Sequence, residues 1–127
     1  MIAKYSILIA EDDKEILFFL KKAFVRSGFT VITATDGQEA ISAAKKYHPE
    51  IILLDISLPK KDGIEVLNNL KSKASDCKDI PVVVLSCLDR PDEIRAGLKA
   101  GAIEYICKPA FPDDLINKVL LWLQKLR

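Results

Sequence analysis

At 127 residues the chain is long enough for one sizeable core and too short for a second, so a single domain over 1–127 is expected. Its 19 lysines and arginines against 18 aspartates and glutamates leave a formal charge of +1, which removes any global electrostatic case for direct nucleic-acid or anionic-membrane binding. The apolar stretches fall well short of a membrane span, and Met1 is followed within a few residues by what reads as a strand, so a soluble, cytoplasmic protein is expected.

The first strand is read at 5–10 and runs into Glu11-Asp12-Asp13. A helix over 13–27 follows, with an apolar stripe at Ile16, Leu20, Ala23 and Phe24 and with Lys14, Lys21 and Lys22 off it. Asp12 or Asp13 is placed to cap its start, and Gly28 is its stop. After a second strand at 29–34, Asp36-Gly37-Gln38-Glu39 opens a helix over 37–47 with capping-box spacing from Asp36 to Glu39. The third strand, 50–55, is the apolar run Ile51-Ile52-Leu53-Leu54 ending in Asp55. The remaining elements are a helix at 64–74, a strand at 80–86 ending in Ser86, a helix at 91–100, a strand at 103–107 followed by Lys108, and a helix at 113–126. Strands alternating with amphipathic helices, without a linker-like stretch, are the mark of a parallel sheet covered by helices.

Three cysteines, Cys77, Cys87 and Cys107, are an odd number without Cys-x-x-Cys spacing, which argues against a disulfide framework and against a zinc site. His48, the single histidine, precedes Pro49 at a helix end and reads as a solvated residue, not a phosphodonor.

The chemistry lies where the apolar runs stop. A carboxylate after Ile51-Ile52-Leu53-Leu54 has no packing role, and in an open parallel sheet ligands bind beyond the carboxyl ends of the strands. Glu11, Asp12, Asp55, Ser86 and Lys108 all fall at such ends. Clustered carboxylates repel one another and are stable together chiefly around a hard divalent cation. Magnesium, or manganese in its place, therefore suits this set, with Asp12 and Asp55 as direct ligands and Glu11 acting through water. Lys108 adds a positive charge opposite the metal, and Ser86 a hydroxyl able to donate to a bound oxygen. A metal and an ammonium flanking one carboxylate suit in-line phosphoryl transfer onto it, with Asp55 as nucleophile.

The ordered set Ile7-Leu8-Ile9-Ala10-Glu11-Asp12-Asp13, Asp36-Gly37 with Glu39-Ala40, Leu54-Asp55-Ile56 with Leu58-Pro59 and Asp62-Gly63, Pro81 to Ser86, Ala100-Gly101-Ala102 and Lys108-Pro109 closely resembles the receiver domain of two-component response regulators over nearly the whole chain. The resemblance implies a flavodoxin-like, doubly wound (βα)5 fold with a five-stranded parallel sheet in strand order 2-1-3-4-5. It implies that Asp55 is the phosphoacceptor and that the donor is a phosphohistidine on a histidine kinase or phosphotransfer protein. Glu11, Asp12 and Asp55 match the family's metal-site acids, with the backbone carbonyl of Ser57 completing the protein ligands. Ser86 and Tyr105 match the hydroxyl and aromatic of its switch, and the Lys108-Pro109 bond is expected to be cis.

Two positions depart from the family pattern. Cys87 stands where a very small residue is usual, and Ala110 then Phe111 follow Lys108-Pro109 where phenylalanine commonly comes directly. The first narrows access to the phosphoryl site; the second suggests a shifted loop before the last helix. Cys87 and Cys107 each adjoin a site residue on strands expected to be neighbours, which makes redox coupling conceivable beside the ordinary reading of buried thiols. On the last helix, Leu115, Ile116, Val119, Leu120, Trp122, Leu123 and Leu126 cover a wide arc. A generously packed core helix accounts for it; so does a surface of fourth helix, fifth strand and fifth helix that binds a dimer mate, a target or a kinase, as in many receivers.

Other functions fit the same residues less well. A haloacid-dehalogenase-type phosphatase needs a second aspartate two positions after its nucleophile, where this chain has Ser57. A flavodoxin's phosphate loop would be repelled by Glu11-Asp12-Asp13, and a nucleotide-binding enzyme would need a glycine-rich loop that this sequence lacks. A pseudo-receiver, keeping the fold as an interaction module without phosphorylation, is disfavoured because the matched site residues are present. The expected protein is thus a signalling switch more than an enzyme, either free-standing or part of a longer regulator or hybrid kinase.

Overall fold

The structure is a computed structural model that describes residues 5–56 and 62–126. Five strands, β1 (Ser6–Ala10), β2 (Thr30–Ala34), β3 (Ile51–Leu54), β4 (Val82–Ser86) and β5 (Glu104–Cys107), alternate with five helices. The helices are α1 (Lys14–Arg26), α2 (Gly37–Tyr47), α3 (Gly63–Leu70), α4 (Pro91–Lys99) and α5 (Pro112–Lys125). The sheet is parallel throughout, in the order β2-β1-β3-β4-β5, as the sequence leads one to expect.

Strand periodicity explains how continuous apolar runs serve two helical layers at once. Successive side chains point to opposite faces. Leu8, Ile52, Leu54, Val82 and Val84 pack with Ala40, Ile41, Ala44, Val66 and Leu67 on the side of α2 and α3. Ile7, Ile9, Ile51, Leu53, Val83 and Leu85 pack with Leu20, Phe24, Leu115, Val119 and Leu123 on the side of α1 and α5. Phe24 is fully buried and meets Phe29 edge-on at 5.0 Å between ring centres. The apolar arc of α5 is largely consumed here: Leu115, Ile116, Val119 and Leu123 are buried and Leu120 and Trp122 pack against the same core, leaving Leu121 and Leu126 exposed. The core-helix reading of that arc therefore accounts for most of it.

Helix starts follow the side chains that satisfy their free N–H groups. Asp13, not Asp12, caps α1, accepting from the N–H groups of Glu15 and Ile16 at 3.0 and 3.1 Å. Asp36 caps α2 through the N–H of Glu39 at 2.8 Å, and Glu39 Oε1 reaches back to accept from the N–H of Thr35 at 3.0 Å. The third helix is shorter than the expected 64–74. It ends at Leu70 because the next residues are held in turns: Lys71 Nζ donates to the carbonyls of Lys78 and Ile80, and Ser72 Oγ donates to that of Asn69. Burial of the Lys71 ammonium pulls its pKa down.

On the outer side of β5, Glu104 accepts from Trp122 Nε1 at 2.6 Å and from Lys118 Nζ at 2.5 Å, tying the strand to α5. Burial raises the Glu104 pKa, but these two donors outweigh it and hold the carboxyl below its ordinary 4.5. At the start of α3, Gly63 donates its N–H to the carbonyl of Ile56 at 2.7 Å, and a Cβ there would stand 2.3 Å from the Ile56 Cα.

Gly63→Ala is expected to lower unfolding free energy by about 2–4 kcal/mol, because the conflict is with backbone that cannot step aside; the urea midpoint measures it. Glu104→Gln is expected to cost about 0.5–1 kcal/mol near neutral pH. A depressed folded pKa gives stability above the ordinary glutamate value that is lost as pH falls through the folded value. The deficit should therefore vanish in acid, as read from thermal melts across that range.

Candidate functional site

Adjacent strands deliver the polar side chains to one edge of the sheet. Ala10 of β1 lies in register with Leu54 of β3, so Glu11 and Asp55 leave the sheet side by side, and the N–H of Asp55 donates to the carbonyl of Ala10 at 2.9 Å. Ser86 lies in register with Cys107, and the N–H of Lys108 donates to the Ser86 carbonyl at 2.8 Å. The alternation that sorts the core also sorts the site. Glu11, Asp55 and Lys108 extend the rows Ile7-Ile9, Ile51-Leu53 and Ile106 that face α1 and α5. Ser86 and Tyr105 belong to the rows that face the other layer.

Lys108 Nζ bridges two carboxylates, donating to Glu11 Oε1 at 2.7 Å and to Asp55 Oδ2 at 3.1 Å. Glu11 and Asp55 are 2% and 5% exposed, so this ammonium compensates charge that water cannot reach. Glu11 Oε2 also accepts from the N–H of Asp13 at 3.1 Å. Desolvation nevertheless pushes the Glu11 pKa up, with the Lys108 hydrogen bond opposing and the negative charge of Asp55 reinforcing it. Burial pulls Lys108 down, but the hydrogen bond to Glu11 and the charges of Asp55 and Glu11 carry it above its ordinary 10.5. Asp12 stands exposed at the rim, and carboxylate oxygens of Glu11, Asp12 and Asp55 lie within 4.8 Å of one another. Oxygen donors at that spacing, two of them withdrawn from water, fit a hard divalent cation such as Mg2+.

The family model for the response regulator receiver domain matches residues 7–120. This chain belongs to that family. The transcriptional regulatory protein PrrA of Mycobacterium tuberculosis is 38% identical over 119 residues, covering 94% of this chain and 50% of PrrA. The alkaline phosphatase synthesis transcriptional regulatory protein PhoP of Bacillus subtilis is 36% identical, covering 94% of this chain and 48% of PhoP. The chain thus spans about half the length of these curated relatives. Among solved structures, the Francisella response regulator 1452 receiver domain superimposes with a TM-score of 0.89 at 32% identity, covering 97% of this chain and 99% of that one. The CheY of the CheX-CheY-BeF3-Mg+2 complex from Borrelia burgdorferi gives 0.83 at 31% identity, covering 91% and 87%.

Within this receiver domain, Ser86 is fully buried and its Oγ accepts from the N–H of Leu88 at 3.1 Å. Tyr105 is half-buried, and its hydroxyl donates to the carbonyl of the same Leu88 at 2.7 Å. Burial raises the Tyr105 pKa, with a hydrogen bond to Ser86 opposing it. The ring rests on α4 at Gly97, where a Cβ would come within 2.9 Å of Tyr105 Cδ2. Neither Leu88 nor Gly97 stood out in the sequence. A glycine inside a helix, unfavourable by about 1 kcal/mol relative to alanine, was the available signal for the second.

The Lys108-Pro109 bond is cis. After it, Ala110 packs against the core while Phe111 caps α5 from an exposed position, so the aromatic is displaced from the site. A cavity of about 400 Å³ lies beside Ala110, lined by Ile16, Leu20, Leu85, Cys87, Lys108 and Pro109. Cys77, Cys87 and Cys107 are free thiols, with Cys87 exposed. The backbone carbonyl of Ser57 and the Leu58-Pro59 pair lie outside the described residues. Among the described residues no helix is long and apolar enough to cross a membrane.

Lys108→Met removes the cation between two buried carboxylates and is expected to destabilise the metal-free protein by about 1–3 kcal/mol near neutral pH. Because the folded Glu11 pKa is already raised, and rises further without the ammonium, protonation relieves the loss in acid and the deficit grows as pH rises through the parent's raised folded value. Added Mg2+ should shrink it; urea titrations at several pH values, with and without the ion, measure both effects.

Proposed function

We propose that this receiver unit, spanning 1–127, accepts a phosphoryl group on Asp55 from the phosphohistidine of a partner histidine kinase or phosphotransfer protein. The observation that carries the reading is the Lys108 ammonium held 2.7 Å from Glu11 and 3.1 Å from Asp55, with Asp12 beside them. In the proposed step an Asp55 carboxylate oxygen attacks phosphorus in line, the P–N bond breaks, and its electron pair leaves on the imidazole. An ionised carboxylate needs no general base. Lys108 stabilises negative charge on the transferring group, and the Ser86 hydroxyl donates to one of its oxygens. Glu11, Asp12, Asp55 and the Ser57 carbonyl would hold Mg2+ or Mn2+, which supplies Lewis-acid neutralisation of the phosphoryl oxygens. Hydrolysis of the aspartyl phosphate, assisted by the same residues, returns the domain to rest. In this reading the chain is a cytoplasmic signalling switch rather than an enzyme acting on external substrates.

Leu88 supports a route from the phosphoryl site to the distal surface. Ser86 holds its N–H and Tyr105 holds its carbonyl, so a Ser86 hydroxyl recruited by phosphoryl oxygen frees one side of the residue that tethers Tyr105. The Tyr105 ring then shifts against Gly97 of α4, altering the surface of α4, β5 and α5 that a target or a second copy would bind.

Incubation with acetyl phosphate and Mg2+ should add one phosphoryl mass to the intact protein, dependent on the metal and absent from Asp55→Asn. Persistent absence of that mass, when Mg2+ binding is detected and candidate kinases are supplied, would replace this reading with an unphosphorylated interaction module.

A further inference from the structure

The end of the sheet remote from Asp55 holds a second convergence of ligating atoms. His48 closes α2 with its backbone in the left-handed region at φ 45°, immediately before the chain enters β3. Asp76 and Cys77 lie between α3 and β4, in a turn where Ser75 Oγ accepts from the N–H of Cys77 at 3.1 Å. The tertiary fold brings these separate segments together. His48 Nε2 is 3.6 Å from Asp76 Oδ2, and Cys77 Sγ is 3.8 Å from Asp76 Oδ1. One imidazole nitrogen, one carboxylate oxygen and the thiol sulfur all lie within 4.8 Å of one another.

Zn–N and Zn–O bonds of about 2.0–2.2 Å and Zn–S bonds of about 2.3 Å, at tetrahedral angles, put neighbouring donor atoms roughly 3.3–3.7 Å apart. In the triad the two separations to the Asp76 carboxylate are 3.6 and 3.8 Å, each to a different oxygen, and all three donors lie within 4.8 Å, so a bound ion would draw them modestly inward. The triad's donors are also of the kind that sort metals: imidazole and thiolate favour zinc-class ions, whereas the all-oxygen cluster at Asp55 favours magnesium. We propose that His48, Asp76 and Cys77 form a three-ligand site for a divalent transition ion of zinc's class, with a fourth position open to water or an outside ligand. On binding, the Cys77 S–H bond breaks, its proton passes to solvent, and a sulfur–metal bond forms; no oxidation occurs. Burial pushes the Cys77 thiol up, and the Asp76 carboxylate reinforces that with the Lys45 ammonium opposing, so the charge of the bound ion itself is what would hold the sulfur as thiolate. His48 and Asp76 are exposed beside it. A bound ion would pin the end of α2 to the turn that leads into β4.

Co2+ titration of the full chain in a Cys87→Ser background, with excess Mg2+ occupying the carboxylate cluster, tests the site. The expected result is a saturable one-to-one binding curve with a thiolate-to-cobalt charge-transfer band and tetrahedral d–d absorption, displaced by Zn2+. Cys77→Ser should abolish the charge-transfer band. His48→Asn, which keeps a residue tolerant of the left-handed backbone, should weaken binding by at least about the 10–100-fold typical of losing even an outer partner of a ligand. Absence of the band, or a band whose affinity is unchanged in either variant, overturns the proposal.

Discussion

The ammonium of Lys108 between the carboxylates of Glu11 and Asp55 is the contact around which the active edge is organised. Two carboxylates withdrawn from water repel each other and lose hydration, a cost that shows in the raised pKa of Glu11. A cation at 2.7 and 3.1 Å offsets that cost. The same contact joins strands from both halves of the sheet, since Glu11 follows β1, Asp55 follows β3 and Lys108 follows β5. Chemistry and cohesion of the edge therefore share one group.

Strand parity gives the site a division of labour. Residues continuing the rows toward α1 and α5 carry charge, while Ser86 and Tyr105, in rows toward the opposite layer, contact Leu88 and α4. Short, direct contacts run from that second row to α4: hydroxyl to Leu88 N–H, Leu88 carbonyl to Tyr105, Tyr105 ring to Gly97. On the charged side, Ala110 borders a cavity that Cys87 and Lys108 also line.

Much of this was legible in the residues alone. Apolar runs of four or five residues between amphipathic stretches dictate a parallel sheet, because such strands must be buried on both faces and only crossover helices can cover them. Polar atoms that terminate those runs must then emerge at one edge, which is why Glu11, Asp12, Asp55, Ser86 and Lys108 were found together before any distance was known. The miss has an equally physical cause. The end of α3 was set by Lys71 reaching carbonyls several residues onward, a choice between near-equal local hydrogen bonds.

What the sequence determined by itself was the order of elements and the edge at which the chemistry collects, since period and run length encode both. What only the tertiary structure decided was which groups touch. The sharing of Leu88 by Ser86 and Tyr105, the seat of the Tyr105 ring on Gly97, and the meeting of His48 with Asp76 and Cys77 depend on distances between segments remote in the chain. Cysteine count and spacing report only groups that are neighbours in sequence. Residues brought together from the end of α2 and the turn before β4 leave no periodic trace.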